Sequence, residues 1–317
     1  MVKKRLAAGI IVIAAVVLNI LLMTAKTLPI VSRVACCVAI DAVAVACAVW
    51  VEDLLRIPLE IFRDRGMFLA IVKNDFQARF AGSYLGLFWA YVQPVITLCL
   101  YWFVFQFGLR AGNVSEHPFV LYLMAGLIPW FYFSESWGGG SNALVEYSYL
   151  VKKVVFNVSF LPVIKVCSAM FVHLVFVVIV TVLTFVYGYG VHPWLFQLVY
   201  YILCNMVLVL GLSYITAACT VFFRDMTQIV GIILTVGVWM TPIMWNPEVT
   251  MSPKMQTIFR LNPMYYIVDG FRDCLLEKTW FWEKPMWSVY FWCFAILVYL
   301  LGVKMFNRLK AHFSDVL

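Results

Sequence analysis

Of the 317 residues, 64% are hydrophobic and only 12% are charged, against about a quarter charged in an ordinary soluble domain. Apolar runs recur from end to end with no long polar segment between them, which excludes a separate soluble domain and leaves one membrane domain. The formal charge of +7 does not signal nucleic acid, because Lys and Arg sit in short segments flanking the apolar runs, where anionic lipid and insertion orientation account for them.

Eight runs are long and apolar enough to count as candidate spans: 6–23, 34–51, 85–108, 119–137, 160–187, 194–223, 229–245 and 286–306. The first follows Lys3-Lys4-Arg5, the flank of either a signal peptide or a span. Its length and the lack of a small-x-small cleavage site favour an uncleaved span. An even number of spans puts both termini on one side. Placing them in the cytoplasm leaves 13 Lys/Arg on inner segments and 8 on outer ones, as the positive-inside rule prefers.

The first two spans are rich in Ala and Val, whereas aromatics crowd the chain after Phe62. Residues 1–55 therefore read as an appended two-span hairpin, and 56–317 as a six-span core. Ahead of the third span, Leu69, Val72, Phe76 and Phe80 share one helical face, with Asn74, Asp75, Gln77 and Arg79 on the other and Lys73 at the edge. Such a helix is expected to lie flat at the inner interface or to serve as an ordinary linker. Between 246 and 285 the chain is apolar but interrupted by Pro247, Pro253, Pro263 and Pro285, which reads as short re-entrant or interfacial helices shielded by protein.

No phosphate loop of the form G-x-x-x-x-G-K-S/T occurs, so any ATP-driven activity requires an ATPase on another subunit. The four histidines are scattered, no D-x-D occurs, and the nine cysteines form no C-x-x-C or Cys/His cluster. A metal site and a membrane-embedded glycosyl- or acyltransferase are therefore disfavoured. Asp41 and Glu135 are carboxylates within apolar runs, costly placements that need an account. For Asp41 the readings are contact with Asn19 in the neighbouring span, a regulatory or partner contact, or transport chemistry. Trp89, Tyr91, Trp102, Tyr122 and Trp130 belong to a dense aromatic group over the third and fourth spans. They read either as packing and interfacial belts or as a path on which sugar faces slide.

Five ordered blocks carry a family resemblance. They are Ile71-Val72-Lys73-Asn74-Asp75-Phe76-Gln77-Ala78-Arg79-Phe80 with Ser83-Tyr84-Leu85-Gly86-Leu87-Phe88-Trp89 and Pro94; Gly126-Leu127-Ile128-Pro129-Trp130; Leu150-Val151-Lys152-Lys153-Val154-Val155-Phe156; Phe223-Arg224-Asp225 with Trp239-Met240-Thr241-Pro242-Ile243; and Asn262-Pro263-Met264 with Gly270-Phe271-Arg272. Together they resemble the permease subunits of type-2 ABC exporters, in the branch that exports O-antigen, capsule and teichoic acid. Asn157 stands where that pattern has a proline.

The resemblance implies an all-α membrane protein: a six-span core with an interface helix, two re-entrant helices before the last span, and here the extra hairpin. It implies a homodimer in the bacterial cytoplasmic membrane, two copies of an ABC ATPase carrying ATP and Mg, no cofactor on this chain itself, and a lipid-linked glycan as substrate. An exporter of a drug or small lipid is the alternative. By similarity the loop 141–157 carries a coupling helix. Gly138-Gly139-Gly140 is expected to end the fourth span and allow a sharp redirection into a short helix over 142–149. Asn142, Glu146, Tyr149, Lys152, Lys153, Arg224 and Asp225 are the candidates for docking the ATPase, or simply positive-inside and turn residues.

Overall fold

The computed structural model describes residues 2–24, 29–79, 82–108, 117–152 and 157–317, and among these the chain is helical throughout. Val2–Thr24 (α1) and Ile30–Val49 (α2) pair as a hairpin, followed by two short helices, Val51–Arg63 (α3) and Arg65–Ala78 (α4). Trp89–Phe103 (α5), Phe119–Glu146 (α6), Ser148–Val151 (α7), Phe160–Val186 (α8), Gln197–Phe222 (α9) and Met226–Met240 (α10) come next. The chain then runs through Pro247–Thr250 (α11), Pro253–Arg260 (α12), Pro263–Arg272 (α13), Pro285–Leu309 (α14) and a final turn at Phe313–Val316 (α15). Among the described residues seven helices are long and apolar enough to cross a membrane. This is a multi-pass membrane protein.

The expected span 229–245 is shorter than its apolar run. α10 has 15 residues, about 22 Å at helical rise, short of the roughly 30 Å hydrocarbon thickness. Pro242 ends it by forcing Thr241 into extended backbone, φ −96 and ψ 129. The stretch that follows is buried, with Thr241 and Ile243 fully covered. The four prolines of the next segment do not interrupt helices. Each opens one, as α11, α12, α13 and α14 all begin on proline, where the missing N–H costs nothing.

The core is built from α6, α8, α9, α13 and α14. In lipid there is no hydrophobic force between helices, so close packing must hold them. α9 and α14 approach through two glycines: a Cβ on Gly211 would lie 2.7 Å from the Tyr299 backbone nitrogen, and one on Gly302 would collide with the Gly211 carbonyl. α6 and α9 run parallel, as Asn205 Nδ2 donates to the Pro129 carbonyl at 2.9 Å and Ser213 packs against Gly140. α14 follows the same direction, with Trp292 beside Tyr200 and Phe313 beside Phe222. α8 runs against them, with Lys165 near Glu146 and Tyr189 near His117. The C-terminal ends of α6, α9 and α14 therefore lie together with the start of α8. The opposite end holds the 246–285 segment.

In that segment α13 is buried along most of its length and penetrates to the middle of α8, where Phe271 meets His173 at 6.0 Å. The chain then returns through Asp273–Glu277, so that Gln197 Nε2 donates to the Thr279 carbonyl at 2.9 Å. α12 contributes no buried residue and stays outside the core.

Two local expectations change. The glycine triplet does not end the fourth span: α6 continues through it to Glu146 and breaks only at Tyr147. The reason is packing, because a side chain at Gly140 would clash with Ser213 of α9. α4 also turns a different face inward, burying Phe68, Val72 and Asp75 while Leu69 is exposed. An aspartate expected on the wet face lies inside because partners await it there.

Candidate coupling and passage site

Those partners form a charged cluster at the end of the bundle where α6 stops. Lys165, one turn into α8 and 3% exposed, reaches Asp75 Oδ1 of α4 at 2.7 Å and Glu146 Oε1 of α6 at 2.5 Å. Tyr147, in the break between α6 and α7, donates its hydroxyl to Asp75 at 2.6 Å, and its ring lies 4.9 Å from the Lys165 ammonium. Arg79 closes the cluster, at 3.5 Å from Asp75 Oδ2 and in a direct ion pair with Glu135 of α6. One buried lysine thus ties together α4, the end of α6 and the start of α8.

Burial drives the Asp75 carboxyl up, but the hydrogen bonds from Lys165 and Tyr147 and the Lys165 charge outweigh it and hold the group below the ordinary aspartate range. Asp75 is therefore ionised in the folded protein at neutral pH. Beside the Arg79–Glu135 pair a cavity of about 400 Å³ opens between α5 and α6, lined by Trp89, Gln93, Pro94, Thr97, Phe131 and Glu135 among others. That volume lies within the roughly 300–1,000 Å³ of small-molecule sites.

The candidate docking residues fall in two places. Glu146, Tyr149 and Lys152 are exposed around α7, with Asn142 half-buried on the last turns of α6; Lys153 lies outside the described residues. Arg224 and Asp225 are exposed in the turn between α9 and α10, at the same end of the bundle because α6 and α9 are parallel. In α4, the helix expected at the interface, Lys73 is exposed and Phe76 packs on Phe171 at 5.2 Å.

The aromatics separate. Trp89 lines the cavity and Trp102 is exposed, while Tyr91 is half-buried with its ring 6.3 Å from that of Phe176. Tyr122 and Trp130 are buried. Tyr122 lies under the Arg272 guanidinium at 3.5 Å and donates to the Trp245 carbonyl, and Trp130 fills the space opposite Gly237 of α10. Asp41 accepts from Asn19 Nδ2 at 2.8 Å within the hairpin.

Three participants escape a scan for carboxylates alone. Lys165 is a lone cation in an apolar run, the same anomaly that marks Asp41 and Glu135, and could have been found by it. Tyr147 carries no such signal. Asn157 is the third: its Nδ2 donates to Glu60 of α3 at 2.5 Å and its Oδ1 accepts from Lys310 at 3.0 Å. The residue that departs from the family pattern thus joins α3 to the end of α14.

The family described as "ABC-2 type transporter" matches residues 67–276. The O-antigen export system permease protein RfbA of Myxococcus xanthus is 30% identical over 267 residues, covering 83% of this chain and 99% of that protein. A permease of the same name from Klebsiella pneumoniae is 25% identical over 252 residues, 79% of this chain and 95% of its own. These relatives are transport subunits rather than enzymes. The chain belongs to the ABC-2 type transporter family.

Proposed function

We propose that this chain is the membrane subunit of an ATP-driven exporter that carries a lipid-linked polysaccharide of the O-antigen class across the bacterial cytoplasmic membrane. It works as a homodimer with two copies of a cytoplasmic ABC ATPase, which hold the ATP and Mg, and both its termini face the cytoplasm. The relatives' shared name supports the substrate class. α5, which has no buried residue in the protomer, supports a second copy, because an aromatic-lined path between protomers needs an uncovered wall.

The observation that carries the mechanism is the cluster around Lys165. Closure of the ATPase dimer pushes on α7 and on the exposed Tyr149. Glu146 and Tyr147 pass that displacement to Lys165 and Asp75, hence to α8 and α4 together, because a buried ion pair moves as a unit rather than open to an uncompensated charge. α4 carries Arg79, whose pairing with Glu135 borders the α5–α6 cavity. Motion of α4 therefore widens or closes that cavity, where Gln93 and Thr97 offer hydrogen-bonding groups to the glycan. Trp89 then offers a ring face to the first sugars.

The test is a pull-down of the tagged full chain from membranes with an ATPase assay of what co-purifies, run in parallel on Glu146→Ala and Tyr149→Ala. Capture of an ATPase, with binding or stimulated hydrolysis reduced in the variants and surface polysaccharide lost, is the expected result. A chain that purifies alone, and that no ATPase activates, defeats the exporter reading.

A further inference from the structure

At the end of the bundle opposite the Lys165 cluster, two cavities of about 270 Å³ each lie on either side of one wall made by Tyr265, Asp269, Asp273 and Lys284. The wall is rigid. Lys284 Nζ donates to Asp269 at 2.8 Å and to both oxygens of Asp273 at 2.8 and 2.7 Å, tying α13 to the start of α14. Each cavity also holds an arginine laid on aromatic rings. In the first, Arg260 lies 5.9 Å from Tyr265 and 5.7 Å from Trp287; in the second, Arg272 lies 3.5 Å from Tyr122.

Arg272 borders the second cavity with a guanidinium that is only partly satisfied. Its Nη2 donates to the Ile243 carbonyl at 2.9 Å, yet its Nε has no hydrogen-bond partner although the residue is only 6% exposed. A charged guanidinium with a spare donor is under-satisfied, and a ligand acceptor in the cavity it borders would add to its hydrogen bonding.

The charges select the ligand class. The first cavity is bordered by Asp269, Asp273 and Glu283 against Arg260 and Lys284, and the second by Asp269, Asp273 and Glu277 against Arg272 and Lys284. A phosphate or carboxylate would face three carboxylates, and a metal cation would face two fixed cations. A neutral polyhydroxyl suits both: each hydroxyl donates to a carboxylate and accepts from a guanidinium, while its C–H faces rest on tyrosine rings, joined in the first cavity by Trp287. The volume is close to the lower limit of about 300 Å³ for small-ligand sites, which is monosaccharide scale rather than polymer scale.

We propose that these paired cavities are a saccharide-binding site, in which Asp269 accepts from sugar hydroxyls, the Arg272 guanidinium donates to one, and Tyr265 supplies a stacking face on the dividing wall. The proposal rests on the glycan-export reading and locates a point where single sugar residues of the polymer are held at the far end of the path.

The full chain in lipid nanodiscs, without ATPase, is titrated with oligosaccharides released by mild acid from the host's own surface polysaccharide. Calcium chloride and inorganic phosphate serve as rival probes, read by tryptophan fluorescence and calorimetry. Asp269→Asn and Tyr265→Ala are measured in parallel, with thermal melts to confirm folding. The wild type should bind the oligosaccharide, and Asp269→Asn should weaken it about ten-fold, the loss of one charge-assisted hydrogen bond. Absence of binding to the wild type, equal binding by both folded variants, or binding of calcium or phosphate lost in Asp269→Asn would each overturn the site. Surface polysaccharide in cells lacking the chain is scored separately. Export that persists there defeats the exporter reading, whereas export that needs the chain, without oligosaccharide binding, defeats the saccharide site alone.

Discussion

Lys165 joins three helices through two carboxylates of unequal weight, because Asp75 is almost wholly buried and Glu146 is half exposed. Removing the lysine leaves the buried Asp75 charge with only the longer Arg79 contact and the Tyr147 hydroxyl, so Lys165→Met should destabilise the protein by up to about 3–5 kcal/mol, while the double variant with Asp75→Asn should recover much of that loss. Thermal melts in nanodiscs, arranged as a double-mutant cycle, measure the difference. A Lys165→Met melt equal to that of wild type would remove the cluster from any structural account. Asp75 also sets a pH dependence. Its folded pKa is depressed, so its contribution is fully present above the ordinary aspartate value of about 3.9 and is lost as pH falls through the folded pKa. The wild-type advantage over Asp75→Asn should therefore be constant from neutral pH to the upper edge of that range and shrink below it, as paired melts can check. At this scale the sequence was only partly legible. Glu135 announced itself as a charge in an apolar run, and Lys165 carries the same mark. Nothing in the order of residues shows that Asp75, on a helix of mixed polarity, turns inward.

The apolar runs predicted most of the long helices, because a spanning helix needs little beyond length and apolarity. Their ends were harder to read, being set by contacts distant in sequence. Gly138-Gly139-Gly140 has the composition of a hinge, yet α6 passes through it, since Gly140 is where Ser213 of α9 must fit. The first and last of these positions should therefore respond differently. Nothing lies within 4 Å of a Cβ on Gly138, so Gly138→Ala should stabilise the helix by up to about 1 kcal/mol. Gly140→Val forces α6 from α9 and should cost about 1–3 kcal/mol. Melts of both variants distinguish packing from hinging: a true hinge would lose polysaccharide export in Gly138→Ala without losing stability, and that result would restore the hinge. α10 teaches the same lesson, because its apolar run continues to Trp245 but the helix stops where Pro242 constrains Thr241.

The largest feature with no counterpart in the family resemblance is the N-terminal hairpin, and the whole-molecule packing suggests how separable it is. Its carboxylate is satisfied internally by Asn19, so its removal leaves no orphaned partner in the core. Between α1, α2 and α14 lies a cavity of about 570 Å³ lined almost entirely by apolar side chains, including Leu18, Val43, Trp292 and Ile296. The contacts α2 makes with α14 are apolar and interrupted by this gap, and in a bilayer lipid chains can replace them on the vacated α14 face at little cost. α2 packs along α14 through apolar side chains, whereas the polar contacts that join this part of the chain to α14 begin after the hairpin, with Lys304 over Trp50 at 4.6 Å and Asn307 Nδ2 donating to Asp53 at 3.3 Å. Deleting residues 2–49 also removes an even number of spans and so preserves the sidedness of everything that follows. The truncated chain should therefore accumulate in membranes, melt within about 1 kcal/mol of the full chain, and still capture the ATPase. Membrane extraction, melting and pull-down of the truncated form measure all three, and failure to accumulate would make the hairpin an integral layer of the fold. If the truncated chain folds and captures ATPase yet exports no polysaccharide, the hairpin's role lies in the transport cycle rather than in holding the core together.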